Sequence, residues 1–367
     1  MARQTQVTID LNALRHNLQV VRSLVGNSGI IAIIKANAYG HGALEAAKAL
    51  HEANMFGVAT IEEALALRLA GIEKAILLLE GFHEPDDLLE IANLSLDIVV
   101  HCETQLKNLL ATPLPSPVNV WLKMDSGMHR LGLNVSMMGK AYAQLQDCPH
   151  VKQVKLMSHF ASADDPANPF SLQQISIFDQ CTSGLNSEVS LCNSAGLVQY
   201  PIAHRNWVRP GIMLYGGNPF SYPAYRNHPI TEQLKPVMTF HSRIIALRKV
   251  PAGETVGYGQ RWTANSDSTI ATLAVGYADG YPRHAPNGTP VMVNGHRVPL
   301  VGTVSMDLIT VDVSDLESVN VGDRAILWGE GLPVEEIAEL CGTINYTLFT
   351  GIGNRVARQY LALREQP

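Results

Sequence analysis

The chain has 367 residues, nearly half of them hydrophobic and only 16% charged, with a formal net charge of −6. That is enough material for two domains and a large core, and the scattered Lys and Arg residues exclude a basic nucleic-acid footprint. Apolar runs too short to span a bilayer, no secretory apolar stretch in MARQTQVTID, and five cysteines without a CxxC pair or Cys/His cluster argue against membrane insertion, export, a disulfide framework or a metal site, and point to a reducing cytoplasm.

From Ile30 to about Pro210 one theme repeats: a short apolar run, a turn, then a helical stretch. The runs are 30–34, 55–59, 75–79, 96–100, 118–124, 154–158, 188–192 and 206–209. Amphipathic or Ala-rich segments such as 44–53, 61–70 and 172–185 separate them. Strands alternating with helices imply parallel pairing, and continuous apolar runs suit strands covered on both faces. Eight such units favour a (β/α)8 TIM-like barrel over an open doubly wound sheet. The stretch 216–236, rich in Pro, Gly, Asn and Tyr, reads as a linker. Beyond it, alternating β-branched runs take over at 241–250, 269–275, 291–301, 308–313 and 324–328, with a hairpin signal at Asn294-Gly295 and one helix at 334–341. The expected class is α/β followed by β: a barrel over 1–230, whose first eight or so residues pair with a mainly β domain over 231–367.

Polar groups recur where the apolar runs end. Lys35 closes the first, Lys123 lies in VWLKMD, His159 follows VKLMS, Ser194 follows LCN, and Arg209 closes the eighth unit. In a β/α barrel these ends line one mouth, so the groups are expected to converge. Taken singly, each has a plainer reading. A strand-end Lys35 is most often a snorkelling surface lysine, Ser194 serves equally well as a helix N-cap, and Arg209 can cap a strand or pair with a rim acid. Tyr258, between Gly257 and Gly259, is equally a turn tyrosine. His41, His51, His101 and His204 are expected at the surface or in supporting positions, and Met124 and Met128 in packing.

The segment Lys35-Ala-Asn-Ala-Tyr-Gly-His-Gly resembles the cofactor-lysine signature of bacterial alanine racemases, the racemase branch of the barrel-type pyridoxal-phosphate enzymes. The similarity continues through Met124 to Gly132 (MDSGMHRLG), Ser158 to Ala161, Asn193 to Gly196, Val208 to Ile212, Val256 to Gly259, Gly276 to Gly280 and Ser305 to Asp307, in family order. It implies interconversion of L- and D-alanine, serving wall building or alanine breakdown, in a homodimer with composite sites. Lys35 would carry pyridoxal 5'-phosphate and exchange the α-proton from one face, and Tyr258 of the second subunit from the other. Cofactor contacts would come from Tyr39, His159, Ser194, Arg209 and the amides of Gly211 and Ile212. Arg209 would meet the ring nitrogen, where many relatives in other branches place a carboxylate; an arginine cannot take up that proton, so the ring stays neutral and a shallower electron sink. Arg130 and the amide of Met306 would hold the substrate carboxylate. Lys123 matches a position often carbamylated, and Asp164, Tyr277 and Arg283 match the substrate corridor.

Two positions depart from the family pattern: Thr303 stands where relatives often place a corridor arginine, and Asn354 where some use a phosphate-contacting tyrosine. The position before Met306 varies in the family, and Ser305 removes any thiol there. Two other functions compete. A pyridoxal-phosphate decarboxylase would want an acid at the ring nitrogen and a cysteine donor in the second domain, where Cys341 is the only cysteine. A cofactor carrier without catalysis would resemble a lone barrel. Within racemases, breadth toward serine or lysine is the remaining alternative.

Overall fold

The computed structural model describes residues 4–220 and 228–361, so part of the expected linker, 221–227, lies outside the described residues. Strand β1 (Gln6–Asp10) leads into helix α1 (Leu11–Val25). Asp10 caps that helix, its carboxylate accepting from the amides of Asn12 and Ala13. Leu11, Leu14, Leu18, Val21 and Val25 repeat at helical spacing, and all five are buried.

The barrel strands are β2 (Gly29–Ile33), β3 (Met55–Val58), β4 (Ile76–Leu78), β5 (Asp97–Val100), β6 (Val118–Lys123), β7 (Val151–Met157), β8 (Val189–Ser190) and β9 (Trp207–Val208). They pair in parallel and in order, and β9 returns to β2 to close the ring. Around them run the left-handed turn α2 (Lys35–Tyr39) and helices α3 (Ala43–Ala49), α4 (Ile61–Leu69), α5 (Asp87–Asn93), α6 (Glu103–Ala111), α7 (Met138–Gln146), α8 (Phe170–Thr182) and α9 (Ser194–Gln199). Continuous apolar runs meet the demand of strands covered on both faces: every residue of β3, β4 and β5 is buried. At the end of the barrel where the strands begin, the ammonium of Lys155 sits 4.9 Å from the Trp121 ring and 4.5 Å from the Trp207 ring. Glu188 pairs with it at 2.9 Å. Two indoles and a carboxylate compensate this buried charge, at the face where barrels build stability rather than chemistry.

After α10 (Pro229–Gln233), the second domain is built on β10 (Met238–Val250). Register shifts after Phe240 and Ile244 bend this strand, letting it serve β1 and β17 (Arg324–Trp328) along its first half and β13 (Ser268–Leu273) along its second. β11 (Thr255–Val256) and β12 (Trp262–Thr263) form a small ribbon. β14 (Pro290–Val293) and β15 (His296–Pro299) are the hairpin that Asn294-Gly295 announces, both residues adopting positive φ. β16 (Ile309–Asp312) lies on β13, and β18 (Ala357–Leu361) runs parallel to β1. Helices α11 (Val334–Leu340) and α12 (Asn345–Thr350) complete the domain. The barrel is thus joined to a mostly β domain, as the sequence leads one to expect, and a single apolar core runs through both. All five cysteines are free, and no helix among the described residues is long and apolar enough to cross a membrane.

Candidate active site

The mouth of the barrel holds a cavity of about 480 Å³, within the range of small-molecule sites. Nine of the residues singled out in the sequence line it: Lys35, Tyr39, Lys123, Arg130, His159, Ser194, Arg209, Gly211 and Ile212. Strand ends deliver most of them: Lys35 leaves β2, Lys123 ends β6, and His159 follows β7.

Immediately after Ile34 the chain enters an unusual turn. Ala36, Asn37, Ala38 and Tyr39 have φ between 51° and 53°, four consecutive left-handed residues without a glycine among them. Such backbone costs about 1–2 kcal/mol per residue, so its surroundings must hold it. Glu63 does so at one end, its carboxylate accepting from the amides of Ala36 (2.6 Å) and Ala59 (2.9 Å). Asn37, a residue that tolerates this region, accepts from the amide of Ala43 at 2.8 Å. At the other end Gly40, at φ 81°, lies where a Cβ would stand 2.2 Å from the carbonyl oxygen of Phe349, and Arg358 donates to the Gly40 carbonyl at 2.7 Å. The second domain therefore props the turn that carries the lysine.

Arg209 is buried and held by four hydrogen bonds from its terminal nitrogens. Its guanidinium donates to Ser190 Oγ (2.6 Å), the Ser158 carbonyl (2.6 Å), the Leu191 carbonyl (3.2 Å) and His159 Nδ1 (3.2 Å). Burial, then the cations of Arg209, Lys123, Arg130 and Lys35, holds His159 well below the usual imidazole range, so it is neutral and its Nδ1 accepts. Every one of these partners of Arg209 is neutral. Burial likewise pushes Lys123 down to about 8, reinforced by Arg209, Arg130 and Lys35 and opposed by Asp125. Among the described lining residues Glu80 is the one carboxylate against four cationic side chains.

Arg130 sits on a loop that Asp125 builds, accepting from the amides of Gly127 (2.9 Å) and His129 (3.0 Å) and from His129 Nδ1 (3.0 Å). Ser194 Oγ accepts from the Gly211 amide at 2.9 Å, so these two phosphate-contact candidates engage each other. Burial raises the Tyr39 phenol, and a Cβ on Gly211 would lie 2.5 Å from its hydroxyl. The space under that phenol thus depends on the missing side chain.

Tyr258, Met306, Tyr277 and Arg283 do not reach this cavity within one chain. They lie on the second domain with their side chains in solvent: Tyr258 is 72% exposed, Met306 53% and Tyr277 39%. The backbone gathers the first three there. Thr303 donates to the Tyr258 carbonyl (2.9 Å), and the amides of Tyr277 and Ala278 donate to the carbonyls of Ser305 (3.1 Å) and Met306 (3.0 Å). Arg355 bridges Asp279 (2.7 Å) and Asp307 (2.6 Å) beneath the same loops. Asp164 lines a neighbouring cavity of about 630 Å³, which shares His159, Asn193 and Tyr346 with the first.

The sequence reading missed Tyr346 and Thr350, which α12 contributes to the cavity wall, Tyr346 with its ring centroid 5.7 Å from that of Tyr39. The short segment NYTLFT carries too weak a helical signal to be placed there. Of the four histidines expected at the surface or in supporting positions, His41 is buried. Cys341, the residue a decarboxylase would need as a donor, caps α11 and is buried in the core, outside the cavity.

Comparison with known proteins covers nearly the whole chain. A family profile described as alanine racemase, N-terminal domain, matches residues 9–219, and one described as alanine racemase, C-terminal domain, matches 237–360. The chain is similar to the alanine racemase of Vibrio parahaemolyticus, 48% identical over 98% of this chain and 99% of that one. Among solved structures it is similar to the biosynthetic alanine racemase of Pseudomonas aeruginosa, with a TM-score of 0.94 and 44% identity over 98% of this chain and 100% of the other. It also resembles a Bartonella henselae alanine racemase solved with covalently bound pyridoxal phosphate, with a TM-score of 0.87 and 31% identity over 98% and 99% of the two chains.

Proposed function

The chain belongs to the alanine racemase family, so its activity is the interconversion of L- and D-alanine, and we propose that this chemistry runs at the barrel mouth on pyridoxal phosphate carried by Lys35. The observation that carries the proposal is a lysine amine facing a cavity whose buried arginine meets only neutral partners. The residues present fit the group. Cationic side chains at the mouth suit an anionic cofactor, and the absent side chain of Gly211 lets the Tyr39 hydroxyl lie against the backbone there. When bound, pyridoxal phosphate supplies the carbonyl that condenses with amines and the conjugated ring that spreads the electron pair left on the α-carbon.

Lys35 takes or returns the α-proton on one face. Tyr258 of the partner subunit does so on the other, because one base alone tends to return the proton to the side it left. A phenol is a poor base near neutrality, so Arg130 and neutral His159, both at the mouth, would assist it as donors. Arg209 would hold the ring nitrogen as a donor and could not accept its proton, which would keep the ring neutral and favour return of the proton to the α-carbon. Tyr39, Ser194 and the amide of Ile212 would hold the phosphate, with Gly211 held against Ser194. Arg130 and the amide of Met306 from the second subunit bind the substrate carboxylate, and Asp164, Tyr277 and Arg283 border the corridor.

Lys123 combines with carbon dioxide, forming a carbamate and releasing a proton. Its pKa of about 8 leaves neutral amine available, and the resulting anion faces Arg130 and Arg209 instead of repelling them. Incubation with L-alanine in deuterated water tests the whole reading. Racemisation with deuterium at the α-carbon is expected, whereas release of carbon dioxide from alanine, or no exchange, overturns it.

A further inference from the structure

His41 takes no part in the chemistry just described, yet it is fully buried beside the site. Its ring packs between Tyr215 (centroids 4.6 Å apart) and Phe349 (5.0 Å). Nδ1 lies 3.0 Å from the Ala38 carbonyl and 2.9 Å from the Tyr39 carbonyl, both within the left-handed turn. Two carbonyl acceptors require Nδ1 to carry the proton, and Nε2 is left without any partner. Burial pushes the imidazole down to about 4, and Arg358 nearby acts in the same direction, so the neutral tautomer persists throughout the working pH range.

We propose that His41 is a positioning residue: its Nδ1–H clamps the two carbonyls of the left-handed turn and so fixes Lys35 and the Tyr39 hydroxyl at a set separation matched to the aldehyde and phosphate ends of one cofactor molecule. The inference rests on the reading of Lys35 as the cofactor lysine. Two features make the turn a spacer rather than a mere connection. It joins the amine to the phenol in five residues, and left-handed backbone without glycine relaxes toward the right-handed region once its clamps are lost. Relaxation would swing Tyr39 away from Gly211, where its hydroxyl now fills the space a Cβ would take.

The test compares apo wild type with His41→Phe, which keeps the ring stack but has no N–H, and with His41→Asn, whose side-chain amide restores a donor. Two quantities are measured: the ratio of affinities for pyridoxal phosphate and pyridoxal by equilibrium dialysis, and the rate at which Lys35 is modified, trapped with borohydride and counted by peptide mass. His41→Phe is expected to lower the phosphate preference and the trapping rate about tenfold each, and His41→Asn to recover most of both. General destabilisation would weaken both ligands alike and leave the ratio untouched. An unchanged ratio in His41→Phe, or no rescue by His41→Asn, overturns the proposal. If His41→Phe does not fold, Glu63→Gln loosens the other end of the turn and is expected to lower the same ratio; an unchanged ratio there is equally fatal. Wild type that never loads Lys35 would sink the cofactor reading as well, whereas normal loading with indifferent variants sinks the clamp alone.

Discussion

Gln174 reaches the site from α8 without touching the cavity, and its removal measures how much the active geometry depends on buried polar bracing. The side chain is 1% exposed. Its Nε2 donates to Ser126 Oγ (3.1 Å) and to the His159 carbonyl (3.0 Å), and its Oε1 accepts from the Ala161 amide at 2.9 Å. Ser126 meets Ser158 at 2.7 Å, and the Ser158 carbonyl accepts from Arg209. One amide thus ties the loop after β6, which carries Arg130, to the segment after β7, which carries His159. Gln174→Leu keeps the volume and deletes three hydrogen bonds. At about 1 kcal/mol each, with the Ala161 amide partly rescued by water, stability falls by about 2–3 kcal/mol. Misplacing reacting groups by an ångström costs on the order of a hundredfold, so kcat/KM is expected to fall between ten- and a hundredfold. Urea midpoints with racemase kinetics read both effects. Gln174→Glu, which keeps only the acceptor for Ala161, should lose nearly as much. A Leu variant within about 0.5 kcal/mol of wild type and equal in kcat/KM would refute the bracing argument.

Lys123 gives a pH signature. Its pKa drops from 10.5 unfolded to about 8 folded, so the folded state binds fewer protons and stability rises with pH between those values. Below about pH 8 the full penalty applies, about 3 kcal/mol. In buffer free of carbon dioxide, Lys123→Met should therefore be more stable than wild type at pH 7 by up to that amount, with a flatter profile from pH 8 to 10.5. Added bicarbonate should stabilise wild type only. Urea midpoints across pH check this, and a variant less stable than wild type in both buffers contradicts it. For the composite site, Lys35→Ala and Tyr258→Phe chains, each inactive alone, are mixed and refolded together. Random pairing leaves one intact site in half the dimers, so about a quarter of wild-type activity should return. No recovery rejects sharing between subunits.

The barrel was legible because its strands are covered on both faces. Even the two-residue strands Val189–Ser190 and Trp207–Val208 sit within apolar runs that only a buried strand would want. The hairpin at Asn294-Gly295 was equally plain, since its backbone demands those residues. The ends of the second domain were not. β18 is only the five residues ARQYL and α12 only six, each too short to show a sustained pattern. Lys35 and Arg209 could be picked out at strand ends, but the conformation between Lys35 and Tyr39 could not. Ala-Asn-Ala argues locally for a right-handed helix, and contacts made by Glu63, Phe349 and Arg358, distant in sequence, decide otherwise. Gln174 was invisible for the same reason: a glutamine on a helix carries no sign of what it braces.

These long-range contacts give the second domain two jobs on two faces. Inward, α12 and β18 press on the turn after Lys35: Phe349 meets His41 edge to face and leaves no room for a Cβ at Gly40, and Arg358 holds the Gly40 carbonyl. Outward, it presents Tyr258, Tyr277, Met306 and Leu308, four large side chains at least 39% exposed on one chain. A single subunit gains nothing from holding such groups in water on loops fixed by Arg355 between Asp279 and Asp307. In the dimer we propose, they would be delivered to a neighbour's barrel mouth and would supply the phenol and the amide that its own chain does not place there. On this account the domain stabilises one lysine and completes the site of another, so loosening it from its barrel should damage both sites of the dimer, whichever subunit carries the lesion.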